Sequence, residues 1–347
     1  EKAGVKYFNN FKSYRPDPRG NLNSRKSVVD YYREGGGYLN PESVILTPGS
    51  SESYFYLFKL LGNPGQEFLT PRPSYPLFEF IAKLSDVTLT SYDLDAKGDW
   101  AISLESIKKG INEKTAGLII ISPHNPTGHV CDEKEVLSVI DICRERKLPL
   151  IIDEVFREFI FSSKRGPRFI NQEAPLIFTL NGISKMLALP QIKLGWIAVS
   201  GSDSEAVKQS LERLETIADT FLSTSDLSQW VLPIIFSEGN NFLREYKKMI
   251  CYRQEKAVSL LQGSGVFEVF PPDGGFYIVL KPKLRKKMGS DEVVLKILSE
   301  KKVLLHPGSF YDFESDEFLV ISFLQEEKIL LEGLTRLISF YETLTRV

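Results

Sequence analysis

Histidine and cysteine each occur only three times in 347 residues. Three histidines leave little for a histidine-rich metal centre. Cys131, Cys143 and Cys251 are odd in number and lack metal-ligand spacing, so they read as free thiols, with no disulfide framework and no metal site. An excess of one charge is missing too: 43 Lys and Arg stand against 45 Asp and Glu, a net charge of -2, which argues against a surface made for nucleic acid. No run approaches the roughly 18 to 20 uninterrupted apolar residues of a membrane span. The start, Glu1-Lys2-Ala3-Gly4-Val5-Lys6, has no apolar stretch of a secretory signal. The expected location is therefore the cytoplasm, with neither membrane nor nucleic acid as partner. Internal repeats and low-complexity linkers are also absent.

The composition that remains, 42% hydrophobic, 12% aromatic and 25% charged, is that of a globular chain, long enough for a large domain and a smaller companion. From about residue 44 to 200, short runs rich in Val, Ile and Leu alternate with segments of helical period, the pattern of a parallel sheet with crossover helices. The clearest strands are expected at 117–121, 148–152, 177–180 and 196–199, each apolar on both faces. Between the first two, residues 132–146 place Val136, Val139, Ile140 and Cys143 on one helical face behind a capping Asp132. Residues from about 203 to 262 read as helix interrupted at 219–228. Strands are then expected at 267–272, 274–280, 303–305 and 318–323, with helices at 291–301 and 326–344, which suggests a smaller α+β domain.

Right-handed crossovers put functional loops at the carboxyl ends of the parallel strands. Three motifs fall there: Ser122-Pro123-His124-Asn125-Pro126-Thr127-Gly128, Asp153-Glu154-Val155-Phe156 and Asn181-Gly182-Ile183-Ser184-Lys185. A lysine becomes a carbonyl-capturing nucleophile when desolvated, and Lys185 lies between an apolar strand and the apolar run at 186–190. An isolated Ser-Lys pair after a strand is ordinarily an exposed loop lysine, and Asn-Pro with Thr-Gly is ordinary turn chemistry. Asp153 ends an apolar strand, so its carboxylate emerges at the mouth of the sheet. Upstream, Thr47-Pro48-Gly49-Ser50-Ser51-Glu52 precedes an apolar-periodic helix, so the amides of Gly49, Ser50 and Ser51 could cradle an anion at a helix start or simply cap it.

Taken in this order and at these intervals, the motifs resemble the site of pyridoxal-phosphate enzymes of the aspartate aminotransferase superfamily, the class I and II aminotransferases of fold type I. The resemblance spans nearly the whole chain. It implies an α/β fold with a large domain, 36–245, built on a mainly parallel seven-stranded sheet between helices. A discontinuous small α+β domain, 1–35 and 246–347, would accompany it. It implies pyridoxal 5'-phosphate held by Lys185 as a Schiff base, with Lys185 also the general base. Asp153 would face the pyridine nitrogen, Asn125 the phenolic oxygen and the substrate carboxylate, and Tyr75 the ring face. Gly49, Ser50, Ser51, Ser184 and Lys193 would hold the phosphate. Tyr14 would reach the phosphate of the neighbouring subunit, which implies a homodimer.

Four positions depart from the resembled pattern. Phe156 stands where a tyrosine usually bonds the phenolic oxygen, and Gly182 where many relatives have a second serine. Lys193, eight residues after Lys185, replaces an arginine and offers a point charge without a bidentate fork. Val320, in Glu317-Phe318-Leu319-Val320-Ile321-Ser322-Phe323, stands where an arginine normally pairs with the substrate carboxylate. Arg15, Arg72 and Arg157 are candidate replacements. The expected function is an aminotransferase that moves an amino group between an amine donor and a keto or aldehyde acceptor through the Lys185 aldimine and pyridoxamine phosphate. A carbon-sulfur β-lyase of the same fold, or a catalytically decayed cofactor-binding regulator or scaffold, are the alternatives. Substrate identity stays open because of Val320.

Overall fold

Ile119, Ile121 and Ile151 face one side of a central sheet while Leu118, Ile120, Leu150 and Ile152 face the other, and all are buried. Side chains alternate across a strand, so strands apolar at every position must be covered on both faces. The computed structural model describes residues 7, 13, 15–95, 99–162, 166–283 and 289–345. Its large sheet has seven strands: β1 (Val44–Thr47), β2 (Glu67–Arg72), β3 (Thr88–Asp93), β4 (Thr115–Ile121), β5 (Leu150–Asp153), β6 (Ile177–Gly182) and β7 (Gly195–Ser200). They lie in the order β1-β7-β6-β5-β4-β2-β3. Strands β2 to β6 are parallel, and β7 runs antiparallel to both β6 and β1.

Helices Ser50–Leu61, Leu77–Leu84 and Ser204–Thr220 cover one face through Tyr54, Leu57, Phe58, Phe78, Ile81 and Leu214. Leu104–Gly110 and Glu133–Arg146 cover the other through Ile107, Val136, Val139 and Ile140. Helix Glu133–Arg146 starts where the sequence indicates: the Asp132 carboxylate accepts from the Glu135 amide at 2.8 Å, and Glu135 accepts in return from the Asp132 amide at 3.1 Å.

A second sheet, β8 (Phe267–Phe270), β9 (Tyr277–Pro282), β10 (His306–Pro307) and β11 (Leu319–Ser322), is antiparallel in the order β10-β11-β9-β8. One face, with Ile278, Leu280, Leu319 and Ile321, packs on helices Ser290–Lys301 and Glu327–Thr345. The opposite face carries Tyr277, Val279 and Val320 against Tyr311, Phe313 and Trp100. Helix Asp226–Ser264 joins the two cores, since Leu232 packs with Trp196 near its start and Ile250, Ala257 and Leu261 pack in the small sheet's core. At 39 residues it spans about 60 Å. Among the described residues no helix is long and apolar enough to cross a membrane.

One expected strand is corrected. Residues 303–305 are not a strand, and pairing begins only at His306. Lys302 ends the preceding helix in the left-handed conformation (φ 58°) and Leu304 is 74% exposed, so the chain is still turning back toward the sheet where its apolar composition suggests pairing.

Candidate active site

The parallel strands end in register. Ile121 of β4 pairs with Asp153 of β5, and Asp153 pairs with Leu180 of β6. Asn125 follows β4, Asp153 closes β5, and the single helical turn Ile183–Met186 after β6 carries Ser184 and Lys185. On the far side of β7, the turn after β1 leads through Gly49 into helix Ser50–Leu61. Gly49 has φ 138°, which a side chain rarely adopts. Thr47 and Ser53 pin the turn through their hydroxyls, 2.7 Å apart. Gly195 lets the turn lie against β7: a Cβ there would meet Gly49 Cα at 3.1 Å and Asn181 O at 2.9 Å.

These ends enclose a cleft of about 370 Å³. Gly49, Ser50, Ser51, Tyr75, Asn125, Asp153, Phe156, Ser184, Lys185 and Lys193 all line it. Tyr14 falls outside the described residues.

Asp153 is 4% exposed and accepts from the Tyr54 hydroxyl at 3.0 Å and from the Val155 amide at 3.0 Å. Burial raises its pKa to about 6 from 3.8, against the pull of those two donors and of Lys185. Lys185 opens into the cleft with Nζ 5.9 Å from the centre of the Phe156 ring. Desolvation lowers its pKa, and the Asp153 charge opposes that shift. A carboxylate held in a dry wall and an amine moved toward its neutral form make a pair suited to proton transfer and carbonyl capture.

Helix Ser50–Leu61 has no side-chain cap, so its first amides have no acceptor within the helix and the positive end of its dipole meets the cleft. Lys193, held in the left-handed conformation (φ 50°), places Nζ 3.3 Å from Glu52 at this end. The cleft also has aromatic lining: Tyr75 meets Phe78 edge-on at 5.8 Å, and Phe156 meets Phe276 edge-on at 5.0 Å. Asn125 Oδ1 is buried with no hydrogen-bond partner. An orphaned acceptor costs stability unless a donor reaches it, whereas the amides of the uncapped helix start need an acceptor.

Gly182 has a steric cause. A Cβ there would come within 2.9 Å of Gly195 Cα and of the Leu194 carbonyl, so this backbone leaves no room for a serine. Two residues of the cleft escape a motif reading. Tyr54, one helical turn beyond Ser50, reaches back to Asp153, and its period in the helix marks it only as core. Tyr277 enters from the small sheet, more than 90 residues after Lys185 in the chain, where no local pattern signals the cleft.

Residues 5–333 match the model of the family described as aminotransferase class I and II. The chain is similar to a glutamate-pyruvate aminotransferase of Haemophilus influenzae, 29% identical over 332 residues covering 93% of this chain and 81% of that protein. It is also similar to a tyrosine aminotransferase of Dictyostelium discoideum, 26% identical over 329 residues, 92% and 78% of the two chains. Among solved structures, an alanine aminotransferase from Pyrococcus furiosus superposes with a TM-score of 0.92 at 24% identity, covering 99% of this chain and 87% of that one.

Proposed function

This chain belongs to the class I and II aminotransferases, and from that premise we propose that Lys185 holds the cofactor covalently and moves the proton by which an amino group passes between an amine donor and a keto or aldehyde acceptor. Enzymes of this family use pyridoxal 5'-phosphate, and the cleft fits it. The Asn125 amide lies in the wall, where its Nδ2–H group could donate to the phenolic oxygen, and the Gly49 turn leaves open space, with nothing within 4 Å of where a Cβ would stand. The helix start beside Lys193 suits a phosphate, and buried Asp153 suits a protonated ring nitrogen.

When bound, that cofactor supplies an electron sink for the carbanion formed at the donor carbon. Everything else falls to the chain. The Ser50 and Ser51 amides, Ser184 and Lys193 would anchor the phosphate. Asp153, fixed by Tyr54 and Val155, would hold a proton on the ring nitrogen. Tyr75 would cover the ring face. Asn125 would hold the ring's phenolic oxygen without help from Phe156, which has no hydroxyl to offer. Lys185 Nζ, once released and neutral, would take the proton from the donor carbon and return it across the cleft.

The observation that carries this reading is convergence: Lys185, Asp153, Asn125 and the Gly49 turn come from four different strand ends and share one cleft. The two sheets support a boundary within helix Asp226–Ser264 between 36–245 and 246–347; of the residues 1–35 expected with the smaller unit, Val28, Val29 and Tyr32 pack instead with Val44, Leu46 and Trp196 of the large sheet. A homodimer belongs to the same proposal. Exposed Phe221 and Leu222, beside Phe55 and Tyr56, offer an apolar patch for a second copy. Borohydride treatment of protein loaded with pyridoxal phosphate tests the central claim by mass spectrometry. The wild type should gain the reduced cofactor at Lys185 and Lys185→Ala should gain none; a cofactor adduct on the variant would overturn the assignment.

A further inference from the structure

We infer that the amine donor is a primary amine without an α-carboxylate. This deepens the proposed function and rests on it. Among the described residues the charged groups lining the cleft are Glu52, Asp153, Lys185 and Lys193. Lys185 is committed to the cofactor. Lys193 lies at the helix start, where Glu52 and the cofactor phosphate compete for its charge. No described arginine lines the cleft. Arg72 is held by Asp93 at 2.7 Å, Arg157 donates to the carbonyls of Gly166 and Pro167, and Arg15 lines a different hollow beside Trp230.

The wall between Asn125 and the small sheet shows what took the place of a cation. Val320 and Tyr277 lie on the same face of their sheet, and Val320 is 1% exposed beneath Tyr311 and Phe313. Tyr277 lines the cleft with its ring 6.5 Å from that of Tyr311. The Tyr311 hydroxyl is engaged by His306 Nδ1 at 2.9 Å, and burial favours the neutral imidazole, so this pair brings no positive charge. A carboxylate placed here would lie against tyrosine faces without a counter-ion among the described residues of the chain, in a cleft that holds Asp153 and would hold the phosphate. An uncharged substituent meets no such penalty. The exchange balances without another reactant: R–CH2–NH2 and the cofactor's formyl group become R–CHO and the cofactor's aminomethyl group. The donor carbon loses two electrons, the formyl carbon gains them, and the oxygen passes to the aldehyde through water.

Two measurements on the cofactor-loaded protein test this. Calorimetry compares 4-ethylphenol with 3-(4-hydroxyphenyl)propionate, which differ by the carboxylate alone. The neutral ligand should bind tighter, on the order of 100-fold, and equal or tighter binding of the carboxylate would overturn the inference even in a protein that turned nothing over. Tyramine and tyrosine are then compared by loss of the absorbance of the lysine-bound cofactor. Tyramine should react faster and release aldehyde; tyrosine reacting as fast would sink the inference while leaving Lys185 and the aminotransferase reading intact. That reading fails separately, through the borohydride adduct. Tyr277→Arg should shift the calorimetric preference toward the carboxylate, and a folded variant with unchanged preference would refute the placement of the subsite.

Discussion

Replacing Asp153 by Asn tests the electrostatics of the cleft without cofactor. In the folded chain burial raises the Asp153 pKa from 3.8 to about 6. The native state therefore keeps a proton that the unfolded chain has already lost, and stability must fall as pH rises through that window. At about 1.4 kcal/mol per pH unit, the change from 3.8 to about 6 corresponds to roughly 3 kcal/mol. That stability is fully present below pH 3.8 and lost once pH exceeds about 6. Asn carries no titrating proton. Urea unfolding of both apoproteins at several values between pH 4 and 7 reads the double difference, in which other groups cancel. The variant should gain about 2 to 2.5 kcal/mol relative to wild type from pH 4 to pH 7, since at pH 4 the unfolded chain has already lost part of the proton. A flat difference, or one that falls with pH, would refute the claim that burial outweighs the donors around Asp153. In the loaded enzyme the sign reverses: a cation opposite Asp153 favours its ionised form, so the same substitution should weaken cofactor binding and lower turnover.

Tyr54→Phe removes the 3.0 Å donor from that buried carboxylate. The loss should be about 1.5–3 kcal/mol at pH 7, where the acceptor is charged, and smaller at pH 4; equal losses at both values would contradict the assignment of the bond. Gly182→Ser should lower the melting temperature, by an overpacking cost of about 1–3 kcal/mol, because its Cβ would meet Gly195 and the Leu194 carbonyl at 2.9 Å. A variant as stable as wild type that binds cofactor phosphate more tightly would show that the glycine was not imposed by packing.

Much of the fold is legible in the sequence because its signals are local. Leu118, Ile119, Ile120 and Ile121 are apolar at every position, which states directly that the strand is covered on both faces. Asp132 and Glu135 write the start of their helix at a fixed spacing. The site is legible for a related reason: Asn125, Asp153 and Lys185 follow strand ends, and parallel topology brings strand ends together. Local signals fail where a residue's partner is distant. Residues 303–305 have strand composition, but the left-handed turn at Lys302 delays pairing until His306. Tyr54 carries the apolar spacing of a core residue while its hydroxyl serves Asp153.

By itself, then, the sequence determined the order of elements, the family and the chemical types available to the cleft, since backbone propensity and apolar period act between near neighbours. Tertiary structure decided the environment of each group. Whether Asp153 is wet or dry, whether Gly182 has space for a side chain, and whether Val320 leaves a gap or lies under Tyr311 depend on atoms far apart in the chain. Desolvation and steric exclusion are properties of the assembled surroundings, and they set the charge that the cleft accepts.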